Sequence, residues 1–213
     1  STKTVVVTPV ATTPTTSSKD INGADDVVVI SVDPGWRSFA ISTIRFREST
    51  QAIQSICFEL IDLIRRRSMV TIEKMIYNLI EELDRIVGAV STCSRIVGIC
   101  ETQPPRNKKT KIISHAMQTY FTVRGHAFDF VSPKKKLKGQ PKMTYEQRKK
   151  WSTDRCCEYL LGATFPGVDA LCDKFSHLRK KDDVADSIIQ TLCYLKTGPF
   201  ACSSQAAQKN KTK

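Results

Sequence analysis

Val27-Val28-Val29-Ile30-Ser31-Val32-Asp33-Pro34-Gly35 is the stretch on which the reading of the fold turns. Its β-branched side chains suit a pleated strand, and Pro34-Gly35 directly after the acid ends that strand in a turn. The Asp33 carboxylate is thereby carried to a strand terminus. Residues 38–44 and 55–61 repeat the β-leaning pattern and follow closely enough for an antiparallel meander. Over residues 69–90 the period changes. Ile72, Met75, Ile76, Leu79, Ile80, Leu83, Ile86 and Val87 fall at helical spacing, which predicts a helix packed into the core. Residues 96–101 return to strand, 111–124 to a helix stopping at Gly125, and 127–131 to strand. Thr144 with Gln147 three positions on has the pattern of a capping box, opening a helix that runs to Gly162. The last helix is expected over residues 182–195.

Three further acids recur at the ends of apolar segments. Glu101 closes Arg95-Ile96-Val97-Gly98-Ile99-Cys100 and is followed by Pro104-Pro105, which cannot continue a ladder. Asp183 and Asp186 stand three apart, on one face of a helix. Asp182 beside Asp183 leaves open which of the two pairs with Asp186. Taken singly, each acid has an ordinary role: a turn or cap residue for Asp33, an exposed side chain for Glu101, a complement to the helix dipole for the pair. As an ordered set they ask for a compensating cation, because converging carboxylates drive one another toward protonation. Hard oxygen donors favour Mg²⁺, with Mn²⁺ as a substitute. Two such ions, about 3.5–4 Å apart, suit hydrolysis of a phosphodiester by in-line attack of water.

The order strand–Asp-Pro-Gly–strand, strand–Glu, late helix with Asp-x-x-Asp resembles the RuvC-type Holliday junction resolvases of the RNase H superfamily. The segment from Ile96 to Phe121, with Glu101-Thr102-Gln103, together with Ser132-Pro133-Lys134-Lys135-Lys136-Leu137 and Tyr145-Glu146-Gln147-Arg148-Lys149-Lys150, looks most like the poxvirus-type branch found in large DNA viruses. The likeness covers roughly residues 27–196. It implies an α/β fold: an RNase H-like mixed sheet, three antiparallel strands plus parallel strands, with helices on both faces. The first strand would be central, with the Glu101 strand beside it and the last helix crossing nearby, so that Asp33, Glu101, Asp183 and Asp186 meet at one sheet edge and bind two metal ions. The implied activity is resolution of four-way DNA junctions by paired symmetric nicks, and a homodimer would set two equivalent sites on a two-fold symmetric substrate. The helix over residues 111–124, with Ile112, Ile113, Ala116, Met117, Tyr120 and Phe121, is one candidate interface, and core packing accounts for it equally.

The family also places a catalytic lysine near the metals, where it would stabilise charge developing in the transition state. Residues 133–150 carry eight basic side chains against Glu146 alone. Within that run Lys135 is the first choice for the catalytic role, with Lys134, Lys136 and Lys138 as rivals or as DNA-backbone contacts. Lys108 and Lys109, just past Glu101, form another candidate backbone contact, as does Arg65-Arg66-Arg67. Trp151 is expected to pack in the core, and Trp36 either packs or touches DNA.

Composition bounds the alternatives. The chain has 213 residues and a formal net charge of +12, which favours a polyanionic partner. No run is long and apolar enough to span a bilayer. Eight cysteines, several within apolar patterns, read as buried free thiols of a reducing intracellular compartment. For a viral protein that compartment is the site of DNA replication, cytoplasm or nucleus. Zinc spacing is absent apart from Cys172 with His177, and no cysteine has an activating context for nucleophilic catalysis. Residues 1–25, rich in Thr, Ser, Val and Pro, and 201–213, small and basic, read as disordered tails around a single domain over 26–200. Two other functional classes stay in view. A non-enzymatic basic DNA-binding protein would bind without metal or turnover, and an actin- or sugar-kinase-like ATPase would need a duplicated domain for which the chain is too short.

Overall fold

Strand β1 (Asp26–Pro34) is flanked on one side by the antiparallel meander β2 (Phe39–Arg47) and β3 (Ala52–Ile61), and on the other by the parallel strands β4 (Arg95–Glu101) and β5 (Ala127–Val131). The sheet order is β3-β2-β1-β4-β5. This is the mixed sheet the sequence implies. The computed structural model describes residues 25–35, 37–64, 71–90 and 95–200. Residues 1–24 and 201–213, Trp36, the Arg65-Arg66-Arg67 cluster and the start of the helix expected from Met69 lie outside the described residues.

Alternation along β1 assigns its side chains to two cores. Val28, Ile30 and Val32 pack with Met75, Leu79 and Leu83 of α1 (Ile72–Val90) and with Ile113, Met117 and Phe121 of α2 (Lys108–Val123). Val27 and Val29 face the other way. They join Cys156 and Leu160 of α4 (Tyr145–Leu161), Leu171 and Phe175 of α5 (Val168–Ser176), and Val184 and Ile188 of α6 (Lys181–Thr197). Helices therefore cover both faces, and the buried apolar row of α2 serves the core. Trp151 packs against the second of these cores, half-buried.

Two glycines are dictated by close approach. A Cβ on Gly98 would lie 2.7 Å from both Phe121 and Phe128 ring carbons, so only glycine lets those rings close over β4. A Cβ on Gly35 would overlap the Ser38 carbonyl oxygen, and Gly35 N–H donates to the Asp33 carbonyl at 2.9 Å. The acid is thus held at the lip of a tight turn. The capping box opening α4 forms as its sequence suggests: Thr144 Oγ1 accepts from Gln147 N–H at 3.3 Å, and Gln147 Oε1 accepts from Thr144 N–H at 2.8 Å.

Two elements go beyond the sequence expectation. The single turn α3 (Pro133–Lys136) follows β5 directly, with Pro at its start, where the missing N–H costs nothing. Helix α5 carries Val168, Leu171, Cys172 and Phe175 at helical spacing but has only 9 residues, about two turns of signal. Among the described residues no helix is long and apolar enough to cross a membrane.

Candidate active site

The same alternation that divides the core delivers the acids to one place. Asp33 follows Val27 and Val29 at even spacing, and Glu101 follows Val97 and Ile99, so both project toward the face that α6 covers. Helix α6 packs on β1 and β2 and starts at Lys181, which brings Asp183 and Asp186 to the carboxyl ends of β1 and β4. Burial first, then the Asp186 charge, pushes the Asp33 carboxyl up to about 7, with Glu101 and Asp183 adding to the rise and Lys136 opposing it. Four carboxylates from three elements thus share one electrostatic field.

Lys136 lies at the centre of it. Its Nζ is 2.6 Å from Glu101 Oε2 and 3.1 Å from Asp186 Oδ1, with only 8% of the side chain exposed. Burial works against its charged form, but Asp186 and Glu101 more than offset this and raise its pKa. The α3 turn explains the choice of lysine. Successive residues there point about 100° apart, so Lys134 and Lys135 are turned to solvent while Lys136 enters the site; Lys138 is also exposed. The structure thus puts Lys136, and not Lys135, among the carboxylates.

The pair at the start of α6 resolves in a similar way. Asp182 turns to Lys149 of α4, which holds it below the usual carboxylate range against the effect of burial. Asp183 faces the site instead. Burial raises its pKa, while a hydrogen bond from Ser38 and the charge of Lys180 oppose the rise. Lys180 Nζ lies 3.6 Å from Asp183 Oδ2 and donates to Ser38 Oγ at 3.2 Å, tying the start of α6 to the β1–β2 turn. On α4, the buried Ser152 hydroxyl donates to Asp186 Oδ1 at 2.8 Å and orients it. Ser152, Lys180 and Ser38 escaped the sequence reading, which placed Lys149 in the basic stretch but not its contact with Asp182. Lys180 stands two positions before Asp182 without any pattern that singles it out from Arg179 or Lys181, and Ser152 had no signal because its role comes from the packing of α4 on α6.

Lys108 and Lys109 sit exposed in the first turn of α2, after the loop from Glu101. His177 is engaged by Ser176 and the Asp173 carbonyl, and the described cysteines are free. Among the described residues no three Asp, Glu, His or Cys side chains are already gathered as a metal shell. The donor set nevertheless fits a hard divalent cation. It consists of oxygens only, and four carboxylates face two ammonium groups, Lys136 and Lys180, leaving negative charge uncompensated.

The family model described as Poxvirus A22 protein matches residues 27–197. No curated protein matches the chain. Among solved structures, the fowlpox virus Holliday junction resolvase is similar to it with a TM-score of 0.61 and 19% identity, over 80% of this chain and 99% of that one. The complex of fowlpox virus resolvase with substrate Holliday junction DNA gives 0.60 and 21%, over 80% and 97%. Thermus thermophilus RuvC gives 0.52 and 12%, over 79% and 95%. At these identities the likeness to solved structures establishes a shared fold.

Proposed function

Given that the chain belongs to the Poxvirus A22 protein family, we propose that it is a structure-selective endonuclease that resolves four-way DNA junctions by metal-dependent hydrolysis of phosphodiesters. The observation that carries this reading is the meeting of Asp33, Glu101, Asp183 and Asp186 in one field, with the Lys136 ammonium held between Glu101 and Asp186. A network serving stability alone would gain little from four acids at one edge, since burying unpaired charge costs free energy. The similar fowlpox virus structures are of a Holliday junction resolvase and of its complex with substrate junction DNA, and the basic balance of this chain suits the same substrate.

Asp33, Glu101, Asp183 and Asp186 are the residues that would hold Mg²⁺ or Mn²⁺, two ions per site, to supply activation of the attacking water and neutralisation of the leaving oxygen. Ser152 fixes the Asp186 carboxylate, while Ser38 and Lys180 fix Asp183, so these acids keep one geometry through the reaction. We assign the catalytic lysine to Lys136. Its ammonium is held beside Glu101 and Asp186, where the scissile phosphate must lie, and it stabilises the charge that grows on the phosphoryl oxygens. Lys134, Lys135 and Lys138, with Lys108 and Lys109, are exposed cations at the rims of the site and take the flanking backbone. A homodimer presents two such sites to opposed strands of a two-fold symmetric junction. The protein works where viral DNA is replicated.

Nicking of a synthetic four-way junction by the wild type and by Asp33→Asn, in Mg²⁺ and in chelator, tests the reading. The expected result is metal-dependent incision lost in the variant with junction binding kept. Tight binding with no incision in Mg²⁺, or in Mn²⁺ put in its place, would leave a basic DNA-binding protein instead.

A further inference from the structure

A cleft of about 360 Å³ opens between the start of α4 and the turn that leads from α5 into α6, beside the carboxylate edge but outside it. Its charged lining is Lys149, Lys150, Arg179 and Lys181 against Asp154 and Asp182. Both acids are already engaged. Asp182 is bound by Lys149, and Asp154 receives Lys150 at 3.0 Å in a pair whose side chains are 78% and 55% exposed. Arg179 and Lys181 make no ion pair among the described residues, so the cleft has a surplus of two cations. A surplus on a flat or convex surface is ordinary for so basic a chain, because each cation is solvated separately. Here two elements bring the cations together around one concavity, where mutual repulsion is relieved by an anion that all of them reach.

The position and lining narrow the ligand. Lys181 and Asp182 directly precede Asp183 in α6, so anything in the cleft lies within a helical turn of the site. Leu178 is the one apolar side chain of the lining, which offers no stacking floor for a base. Lys149 lies 5.0 Å from the centre of the Tyr145 ring, which is 64% exposed and is not part of the lining. What the cleft reads is charge and not sequence.

We infer that this cleft is a second phosphate-binding site, in which Arg179 and Lys181, with Lys150, hold the backbone of branched DNA as it leaves the carboxylate edge. The inference rests on the junction-binding reading above, and it uses elements distinct from the α2 and α3 lysines. Two phosphates neutralised there release their condensed counterions, and this makes the site visible in the salt dependence of binding.

The test is anisotropy of a labelled synthetic four-way junction titrated with the full chain in chelator, where nothing is cut, at several salt concentrations. For R179A/K181A the dissociation constant is expected to rise about tenfold or more at low salt, and the slope of log affinity against log salt to fall by about 1.8. K74A, on the exposed face of α1, serves as the control and keeps wild-type values. R179E/K181E extends the series in the same direction, and a thermal melt of each variant verifies folding. An unchanged slope, with affinity within twofold of wild type, overturns the cleft as a phosphate site. A wild-type chain that binds duplex and junction alike and cuts neither overturns the resolvase reading, while a slope still lowered in the variant sustains the cleft.

Discussion

Replacing Lys136 by Ala removes the one buried cation that holds Glu101 and Asp186 together. With Nζ at 2.6 and 3.1 Å from their oxygens and only 8% of its side chain exposed, it is bound as a partner of a buried ion network. Deleting such a partner leaves uncompensated charge and costs about 3–5 kcal/mol. Part of that is recovered as water enters, so a loss of about 3 kcal/mol is expected in chelator, or roughly 6–12 °C in melting temperature for a domain of this size. Divalent ions take over the vacated role. In Mg²⁺ the stability deficit is expected to shrink to less than half, and the metal concentration for half-maximal binding to fall, since the lysine no longer competes for the same oxygens. Catalysis responds differently. Loss of one charged donor to the transition state lowers kcat by about 10²–10³, with KM for the junction changed little. Lys135→Ala, on the exposed side of the same turn, is expected to keep kcat within threefold. Thermal melts in chelator and in Mg²⁺, calorimetric titration of Mg²⁺ and steady-state nicking over a range of junction concentrations measure these. If Lys136→Ala kept wild-type kcat while Lys135→Ala lost a hundredfold, the reasoning from α3 would be refuted.

Three further outcomes follow from the same geometry. The Asp33 carboxyl titrates at about 7 when folded against 3.8 for its ordinary value, so the metal-free folded state holds a proton that the unfolded chain releases between those values. The contribution of Asp33 to stability is therefore greatest below 3.8 and falls as pH rises toward 7, by at most about 4 kcal/mol and nearer about 2 because the side chain is partly exposed. Asp33→Asn should flatten this slope and raise the urea midpoint at pH 7.5 in chelator, and a lower midpoint would contradict the assignment. Gly98→Ala forces a methyl against the Phe121 and Phe128 rings, and overpacking of about 1–3 kcal/mol should appear in urea unfolding with the slope m unchanged. Ser42 is fully buried with no hydrogen-bond partner for its hydroxyl among the described residues. Ser42→Ala should stabilise the protein by about 1 kcal/mol, and destabilisation by that amount would show that the hydroxyl is satisfied.

How far the sequence carries can be judged from particular residues. Strand β5 begins and ends where the sequence puts it, and β1 and β4 differ from the expected bounds only by terminal residues, because each of those two is a continuous apolar run, buried on both faces, that a turn or a proline closes. Their registers follow, and with them the shared face of Asp33 and Glu101. The ambiguity of Asp182 against Asp183 lay in helix phase. Lys149 of α4 takes up Asp182, a contact between elements separated by 33 residues in sequence, and local pattern holds no record of it. Which lysine enters the carboxylate cluster was hidden for a smaller reason. The turn α3 is four residues long, too short for any periodic signal, yet it alone decides that Lys136 points inward. Ser152 and Lys180 belong to the same class, since their roles arise only when α4 and the α6 start dock on the sheet.

The most direct test of the central claim maps every incision on a four-way junction labelled in turn on each strand, with Mg²⁺ present. Nicks are expected at symmetric positions on two opposed strands, sealed by ligase into linear duplexes, with little cutting of the matching linear duplex. Equal cutting of the linear duplex, or a junction bound and left intact in both Mg²⁺ and Mn²⁺, would contradict it.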